Sequence, residues 1–310
     1  MPFISSVRGS FGPQGRFGRA AGLGTSTGGT ITTAGGYRIH TFLLAETGTS
    51  FVASAAGSVE YLVIAGGGTG GNAFANQTGN AGGGGAGGLR TGSLAVTAQG
   101  YPITVGNGAQ TKGDGTGLTQ TSGASVRGSA GQSSVFSNIT SDGGGAGGAD
   151  DQAFGNAGGS GGGAATSQGG SGNHGFKGGD FVSIGGGRGG GGGGAGARGR
   201  NGGEDSSNQN GNGGAGLASS ITGSSVTYAG GGGSSGQNTA ASGGTFGNGG
   251  TGGGGAGSAH KVQLGGGGTT AQSGTNGLGG GGGSAGGQDG VGNATSGAGG
   301  SGVVIIRYPL

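Results

Sequence analysis

The sequence predicts an all-β fold: a small β-sandwich of short strands with packed polyglycine II-type helices and glycine-rich loops, and essentially no α-helix. Glycine supplies 103 of the 310 residues, so one residue in three has no side chain to bury. Short runs of β-branched and aromatic residues recur between the glycines, a pattern typical of strands. No segment keeps a 3.6-residue apolar period over about ten residues, which argues against α-helices.

The glycine segments have no side chains, so backbone hydrogen bonds must keep them ordered. Fixing one residue costs roughly 1–2 kcal/mol of backbone entropy, whereas one hydrogen bond contributes only about 0.5–1.5 kcal/mol net. Isolated glycine strands would therefore not hold, and we expect many of them to pack side by side or to be anchored between true strands. The polyproline II-type helix suits this packing, because it has no internal hydrogen bonds and offers every N–H and C=O group to a neighbour.

Short strands are predicted mainly in a strand-rich zone, residues 29–142. They are 37–44, 58–64, 94–97, 101–105 and 133–140. A glycine-rich body, residues 143–310, follows. Short strand-like tetrads introduce several of its glycine runs, namely 181–184, 226–229 and 261–264. The body ends in the apolar run 301–309, which we expect to return to the sandwich beside the 58–64 strand.

The first 28 residues form a separate zone that is basic and aromatic. No acidic residue occurs before Glu46, and phenylalanine alternates with arginine. Such an arm suits docking onto a partner protein, although chain termini are often simply flexible. The predicted docking residues are Phe3, Arg8, Phe11, Arg16, Phe17 and Arg19.

One motif imitates a dinucleotide-binding site. Gly66, Gly68 and Gly71 match G-x-G-x-x-G directly after a predicted strand. A dinucleotide fold also needs a helix at this point and an acidic residue about 20 residues later. No Asp or Glu occurs between residues 61 and 113, and the segment after the motif is mostly Asn, Ala and Gly. We therefore predict no cofactor.

Catalytic and metal-binding patterns are weak, and we predict that the protein is not an enzyme. The chain has no cysteine, which excludes disulfides and thiolate metal sites. The histidines His40, His174 and His260 are far apart, and His40 alternates within a strand as a partly buried side chain would. The acid pairs 150–151 and 204–205 lack the several spaced oxygen donors that calcium needs.

Two other glycine-rich classes do not fit. RGG-type RNA binding could use Arg188, Arg198 and Arg200, and the pI near 9.5 is compatible, but no aromatic residues interleave with these arginines. Collagen requires uninterrupted glycine at every third position and abundant proline, whereas this chain has four prolines. We therefore predict no nucleic-acid partner and no triple helix.

Export and membrane signals are also missing. Residues 1–24 lack the apolar stretch of a signal peptide, and the densest apolar runs, 61–65 and 303–306, are too short to span a bilayer. We expect a soluble chain without membrane insertion. A protein built for outside surfaces without an export signal fits a virus particle, because lysis releases the particle without secretion.

Several segments in a fixed order resemble the glycine-rich domain of virion structural proteins from bacteriophages and some larger viruses. They are 35–42 (GGYRIHTF), 59–68 (VEYLVIAGGG), 83–90 (GGGAGGLR), 101–105 and 299–309. The resemblance covers about residues 29–310, and residues 6–18 are similar to the N-terminus of small phage virion proteins. It implies a particle component, often linked to tail fibres or adhesins, and it carries over no catalytic residue.

These observations together predict a virion structural protein, a phage tail fibre or adhesin-type component exposed on the particle. The alternatives are a capsid or head fibre or decoration protein with no receptor role, and an extracellular filament or matrix protein. The expected partners are other virion proteins through the N-terminal arm, further copies of the chain with a trimer favoured, and a host surface glycan or protein. Host contact would lie in polar loops between glycine runs, at 74–80, 150–156, 201–212 and 234–245.

Overall fold

A computed structural model describes residues 22–73, 79–110, 125–150, 152–183, 187–205, 209–236, 246–258, 270–286 and 295–310. Its strands are β1 (Thr30–Ala34), β2 (Tyr37–Phe42), β3 (Ser50–Val52), β4 (Gly57–Ile64), β5 (Leu89–Val96), β6 (Gly100–Thr104), β7 (Ser134–Phe136), β8 (Ile139–Ser141), β9 (Leu217–Ser219), β10 (Val226–Tyr228) and β11 (Val303–Pro309). The helical segments in these ranges are two three-residue 3-10 turns, Leu23–Thr25 and Leu44–Glu46. The prediction of an all-β fold is confirmed.

The largest sheet has five antiparallel strands in the order β1-β2-β11-β4-β5. The C-terminal strand β11 lies between β2 and β4, where Ile305 is opposite Thr41 on one side and Leu62 on the other. A strand with two neighbours and two covered faces needs apolar residues on both sides, which explains the continuous run Val303–Ile306. The predicted return of the last strand to the 58–64 strand is confirmed.

A second, four-stranded sheet in the order β3-β6-β7-β8 packs on one face of the five-stranded sheet. Aromatic rings fill the space between the two sheets. The ring of Phe51 lies 6.4 Å from Phe136 and 6.3 Å from Tyr308, between centroids. Such pairs add to the free energy of burial, and this cluster forms the sandwich core.

The other face of the five-stranded sheet is covered by the β9–β10 hairpin and by glycine segments. Ile39, Leu62 and Ile305 point to this side and pack with Ile221 and Tyr228. The central strands β2, β11 and β4 are therefore covered on both faces, whereas most of β1 and much of β5 are exposed.

The glycine-rich segments form extended columns, and residues 81–88 form the central column. Gly82, Gly85 and Gly88 donate their N–H groups to one neighbouring column at 3.0, 2.8 and 2.8 Å, from nitrogen to carbonyl oxygen. Gly83 and Ala86 donate to a second column, and Gly84 and Gly87 to a third. A partner that recurs every third residue is the expected result of three residues per turn, as in polyglycine II.

The columns pack hexagonally. Each column around the centre is hydrogen-bonded to the central column, as donor or as acceptor, and to the next column in the ring. In ring order these columns are 65–73, 142–149, 158–165, 187–196, 229–236 and 279–286. Columns from both the 29–142 zone and the 143–310 zone therefore share one lattice.

Some strands differ from the prediction. The single strand predicted at 133–140 is wrong, because Ser137 adopts a positive φ of 56° and turns the chain between β7 and β8. The tetrad at 226–229 corresponds to β10, whereas at 181–183 the chain forms only an isolated bridge from Val182 to Arg188. The tetrad at 261–264 lies outside the described residues.

Candidate functional site

The two ends of the glycine columns differ in what lies beyond them. At one end the columns continue into strands of the sandwich, because β4 leads into residues 65–73 and residues 81–88 lead into β5. At the other end, isolated bridges join Ala81 to Ser235 and to Ala149, and Asn72 to Ala285. These bridges place the column ends at one level, which we call the distal face.

A network of serine hydroxyl groups lies just beneath the distal face. Ser284 Oγ lies 2.9 Å from the carbonyl oxygen of Ala81, to which it donates, and 3.1 Å from Ser235 Oγ. Ser234 Oγ donates to the carbonyl oxygen of Gly189 at 2.7 Å. All three serines are fully buried. A hydroxyl group fits the small space between columns and also bonds to carbonyl groups near their ends.

The polar loops expected from the sequence start or end at the distal face. Asn80 directly precedes Ala81 in the central column, and Asp150 directly follows Ala149. A Cβ atom built on Gly236 would lie 2.1 Å from Asn210 Oδ1, so the described ends of two further loops also meet. The remaining parts of these loops, 74–78, 151, 206–208 and 237–245, lie outside the described residues.

A charged cluster joins residues 198–212 on the side of the glycine body. Arg198 donates to both carboxylate oxygens of Glu204 at 2.6 and 3.0 Å, and Arg200 donates to the same carboxylate at 2.8 Å. Burial alone would raise the pKa of Glu204, but the hydrogen bonds from the arginines and from the backbone N–H of Asn201 lower it to about 2. Asn212 closes the cluster by donating to Asp205 at 2.6 Å.

A cleft of about 420 Å³ borders this cluster. The charged side chains that line the cleft, Arg198, Arg200 and Asp205, all form ion pairs within the cluster. The cluster therefore links the segment 198–205 to Asn212 of the neighbouring glycine segment.

His40 is a core residue of the sandwich. Its Nδ1 lies 2.8 Å from the carbonyl oxygen of Gly28, and its Nε2 lies 3.0 Å from the hydroxyl oxygen of Tyr308. Burial lowers the pKa of His40, so the ring is neutral at pH 7. The sequence predicted a partly buried side chain, and burial is complete. Among the described residues, no group of three or more His, Asp or Glu side chains could hold a metal ion.

The G-x-G-x-x-G glycines serve packing. Gly66, Gly68 and Gly71 lie in the 65–73 column and donate to backbone carbonyl groups of neighbouring segments at 2.9–3.0 Å. A Cβ atom at Gly66 would lie 2.0 Å from the carbonyl oxygen of Asn107. No helix follows in the described residues up to Ala73.

The predicted docking residues Phe3, Arg8, Phe11, Arg16, Phe17 and Arg19 lie outside the described residues. Sequence reasoning missed the serine network, because serines are common throughout the chain and nothing in their spacing marks Ser284 as a neighbour of Ser234 and Ser235.

Comparison with known families assigns the chain to one of them. A family described as glycine-rich domain matches residues 43–309, which is most of the chain. The chain belongs to the glycine-rich domain family. The matched part of this glycine-rich domain protein begins directly after β2 and includes all the columns and the strands β3 to β11. No curated protein matches the chain.

The described helical segments are too short and too polar to be candidates for crossing a membrane.

Proposed function

We propose that this glycine-rich domain protein is a virion structural protein, a non-enzymatic tail fibre or adhesin-type component exposed on the particle. The observation that carries the proposal is the hexagonal ring of columns around residues 81–88. A body held by backbone hydrogen bonds in every lateral direction is stiff, and it offers few accessible peptide segments to proteases. Those properties suit a part that projects from a particle into the surroundings.

The proposed orientation places the sandwich toward the particle and the distal face toward the host. Thr27 pairs with Val52, and Arg38 donates to the carbonyl oxygen of Gly24, so the chain enters the described structure at the sandwich. The arm of residues 1–28 would then dock onto other virion proteins at that end. The polar loops at the distal face would contact a host surface glycan or protein, because loops can vary on a rigid scaffold.

The position of the protein on the particle tests this proposal. Gold-labelled antibodies against the purified protein are applied to intact particles that carry it, and the label is counted on heads, tails and fibre tips. We expect label at tail fibres or tips. Label confined to the head would favour a capsid or head fibre role without receptor contact. If cultures free of virus contained as much of the protein as infected cultures, a virion role would be contradicted and a filament or matrix protein favoured.

The docking role of the arm needs a separate experiment. A chain that begins at Gly22 keeps every residue of the described structure, so it should still fold, but it should be absent from particles. A matched control replaces residues 1–21 with a Gly/Ser segment of equal length. Normal incorporation of either variant would contradict docking through the arm.

A further inference from the structure

The outer edge of β1 is an open strand edge. β1 pairs with β2 on one side, and no other strand of the described chain pairs with it. Its residues Thr30–Thr33 are all exposed, and Ile31 is one of the exposed large apolar side chains. An open edge presents unpaired N–H and C=O groups that another strand can bind.

The turn after β1 determines which backbone groups face outward. Gly35 and Gly36 have φ values of 57° and 80°, as a two-residue type I′ turn requires. Ala34 and Tyr37, which flank the turn, therefore form a hydrogen-bonded pair, and such pairs alternate along the strands. Thr32 then bonds to β2 as well. The N–H and C=O groups of Ile31 and Thr33 point away from the sheet.

This pattern is complementary to itself. We propose that β1 pairs antiparallel with β1 of a second copy of the chain, with Thr32 on the two-fold axis. In this register Ile31 is opposite the partner's Thr33, and Thr33 is opposite the partner's Ile31. All outward groups of both strands then form hydrogen bonds. If the register shifts by two residues, only one of the two outward residues of each β1 is opposite an outward residue of the partner strand. The other then forms no hydrogen bond to the partner β1.

The residues of β1 favour a second copy of the chain as the partner that binds to its open edge. β1 has no charged residue, no proline and no bulge, so two copies meet without repulsion. The opposite edge strand, β5, contains the charged residue Arg90, which discourages pairing. Threonine directly opposite threonine is a favourable cross-strand pair. The β1 edge is thus the side of the sheet that is open to pairing.

The contact is short, so its affinity depends on how the copies are presented. A pair of five-residue strands buries well under the roughly 1,200 Å² of stable complexes. Copies anchored close together on a particle would have a high effective concentration, which compensates for weak pairing. The two-fold geometry differs from the trimer that the sequence favoured.

Single-cysteine variants test the register directly, because the chain has no cysteine of its own. In T32C the two thiols would sit across a non-hydrogen-bonded pair, with Cα atoms about 4.5 Å apart, within disulfide range. In T30C, on the same face of the same strand, the two Cα atoms would be more than about 13 Å apart. We expect mild oxidation of the purified protein at high concentration to give covalent dimers of T32C and several-fold fewer of T30C. Equal cross-linking of both variants would overturn the proposal.

One further measurement uses a second pair of cysteines, and another needs no cysteine. A mixture of T30C and A34C should give disulfide-linked heterodimers, since these positions are opposite each other in the proposed register. Thr33→Pro removes an outward N–H group and no hydrogen bond to β2, so it should change the melting temperature little while it lowers the dimer fraction in light scattering. Ser93→Lys on β5 is the control and should leave that fraction unchanged. A wild-type chain that stays monomeric at millimolar concentration, or forms trimers, contradicts the proposal. Because no particle is involved, this outcome is independent of the proposed function.

Discussion

In the central column, the space next to each Cα atom decides whether the position must be glycine. A Cβ atom on Gly84 would lie 2.2 Å from the carbonyl oxygen of Gly68, far inside van der Waals contact. Ala86 in the same column is nevertheless fully buried, so its methyl group fits between two columns. Alanine and glycine are therefore not interchangeable within a column, and the local distance between columns decides which one is tolerated.

Replacing Gly84 with alanine should destabilise the whole body. The methyl group must displace the Gly68 backbone, and extra atoms in a packed interior cost about 1–3 kcal/mol or more. We expect the free energy of unfolding, measured by chemical denaturation, to fall by about 3 kcal/mol. Gly100→Ala is the matched control, because its Cβ atom would make only an ordinary contact of 3.8 Å with Ser50. Similar losses for both variants would contradict close packing at Gly84.

His40 gives stability a pH dependence. Burial holds its pKa in the folded chain below the ordinary value of 6.5, so the unfolded chain takes up a proton first as the pH falls. The contribution of neutral His40 is fully present above about pH 6.5 and is lost as the pH falls through the lower pKa of the folded state. We expect the melting temperature to drop between pH 7 and pH 5.

A histidine variant separates this effect from other titrations. His174 is partly exposed, so H174Q should keep the drop, whereas H40Q should start from a lower melting temperature and show little further loss between pH 7 and pH 5. Glu204 contributes little in this range, since its stabilising effect is lost only as the pH falls from its ordinary pKa of 4.5 toward about 2. A drop of equal size in H40Q would show that another group is responsible.

At the scale of elements, Arg307 on β11 ties three parts of the fold together. Its guanidinium group donates to Glu60 on β4 at 2.6 and 2.9 Å and to the carbonyl oxygen of Ser220 in the β9–β10 hairpin at 3.0 Å. It also lies 4.4 Å from the ring centre of Tyr37 on β2. A planar group with several donors can make these contacts at once, and a lysine ammonium group cannot.

Arg307→Lys should therefore cost more than a usual surface substitution. We expect a loss of about 1.5 kcal/mol in the free energy of unfolding, since hydrogen bonds to a charged group are lost. Arg90→Lys on β5 is the control and should change the free energy by less than about 0.5 kcal/mol. Coupling to Glu60, measured in a double-mutant cycle with Glu60→Gln, should be positive, and zero coupling would contradict this assignment.

The sequence predicts strands well where large apolar residues are frequent, as in β4 and β11, and poorly where they are sparse. β1 is exposed and threonine-rich, and β3 and β9 have only three residues each, so none of them carries a buried pattern that could be recognised. The turn at Ser137 lacks glycine, which made β7 and β8 look like one strand. The neighbours of each glycine column could not be predicted, because a run without side chains has no pattern that specifies its partner.

At the scale of the whole molecule, strands and columns form one continuous framework. β4 continues into residues 65–73, and residues 81–88 continue into β5. Each strand therefore fixes the direction of the column attached to it and its position along the column axis. The sandwich supplies the side-chain core and the columns supply the backbone lattice. The distal face is consequently held at a set distance from the sandwich, which is the geometric basis for presenting loops there.

Native-state hydrogen exchange of the central column tests the backbone lattice most directly. The amides of residues 81–88 are hydrogen-bonded on all sides and surrounded by other columns, so they should open only with global unfolding. Mass spectrometry of peptides from the full chain should show protection of 81–88 equal to that of β4 and β11, while the exposed turn at 222–225 exchanges within seconds. Exchange of 81–88 at the rate of an unstructured glycine peptide would contradict an ordered lattice and leave the glycine segments as linkers.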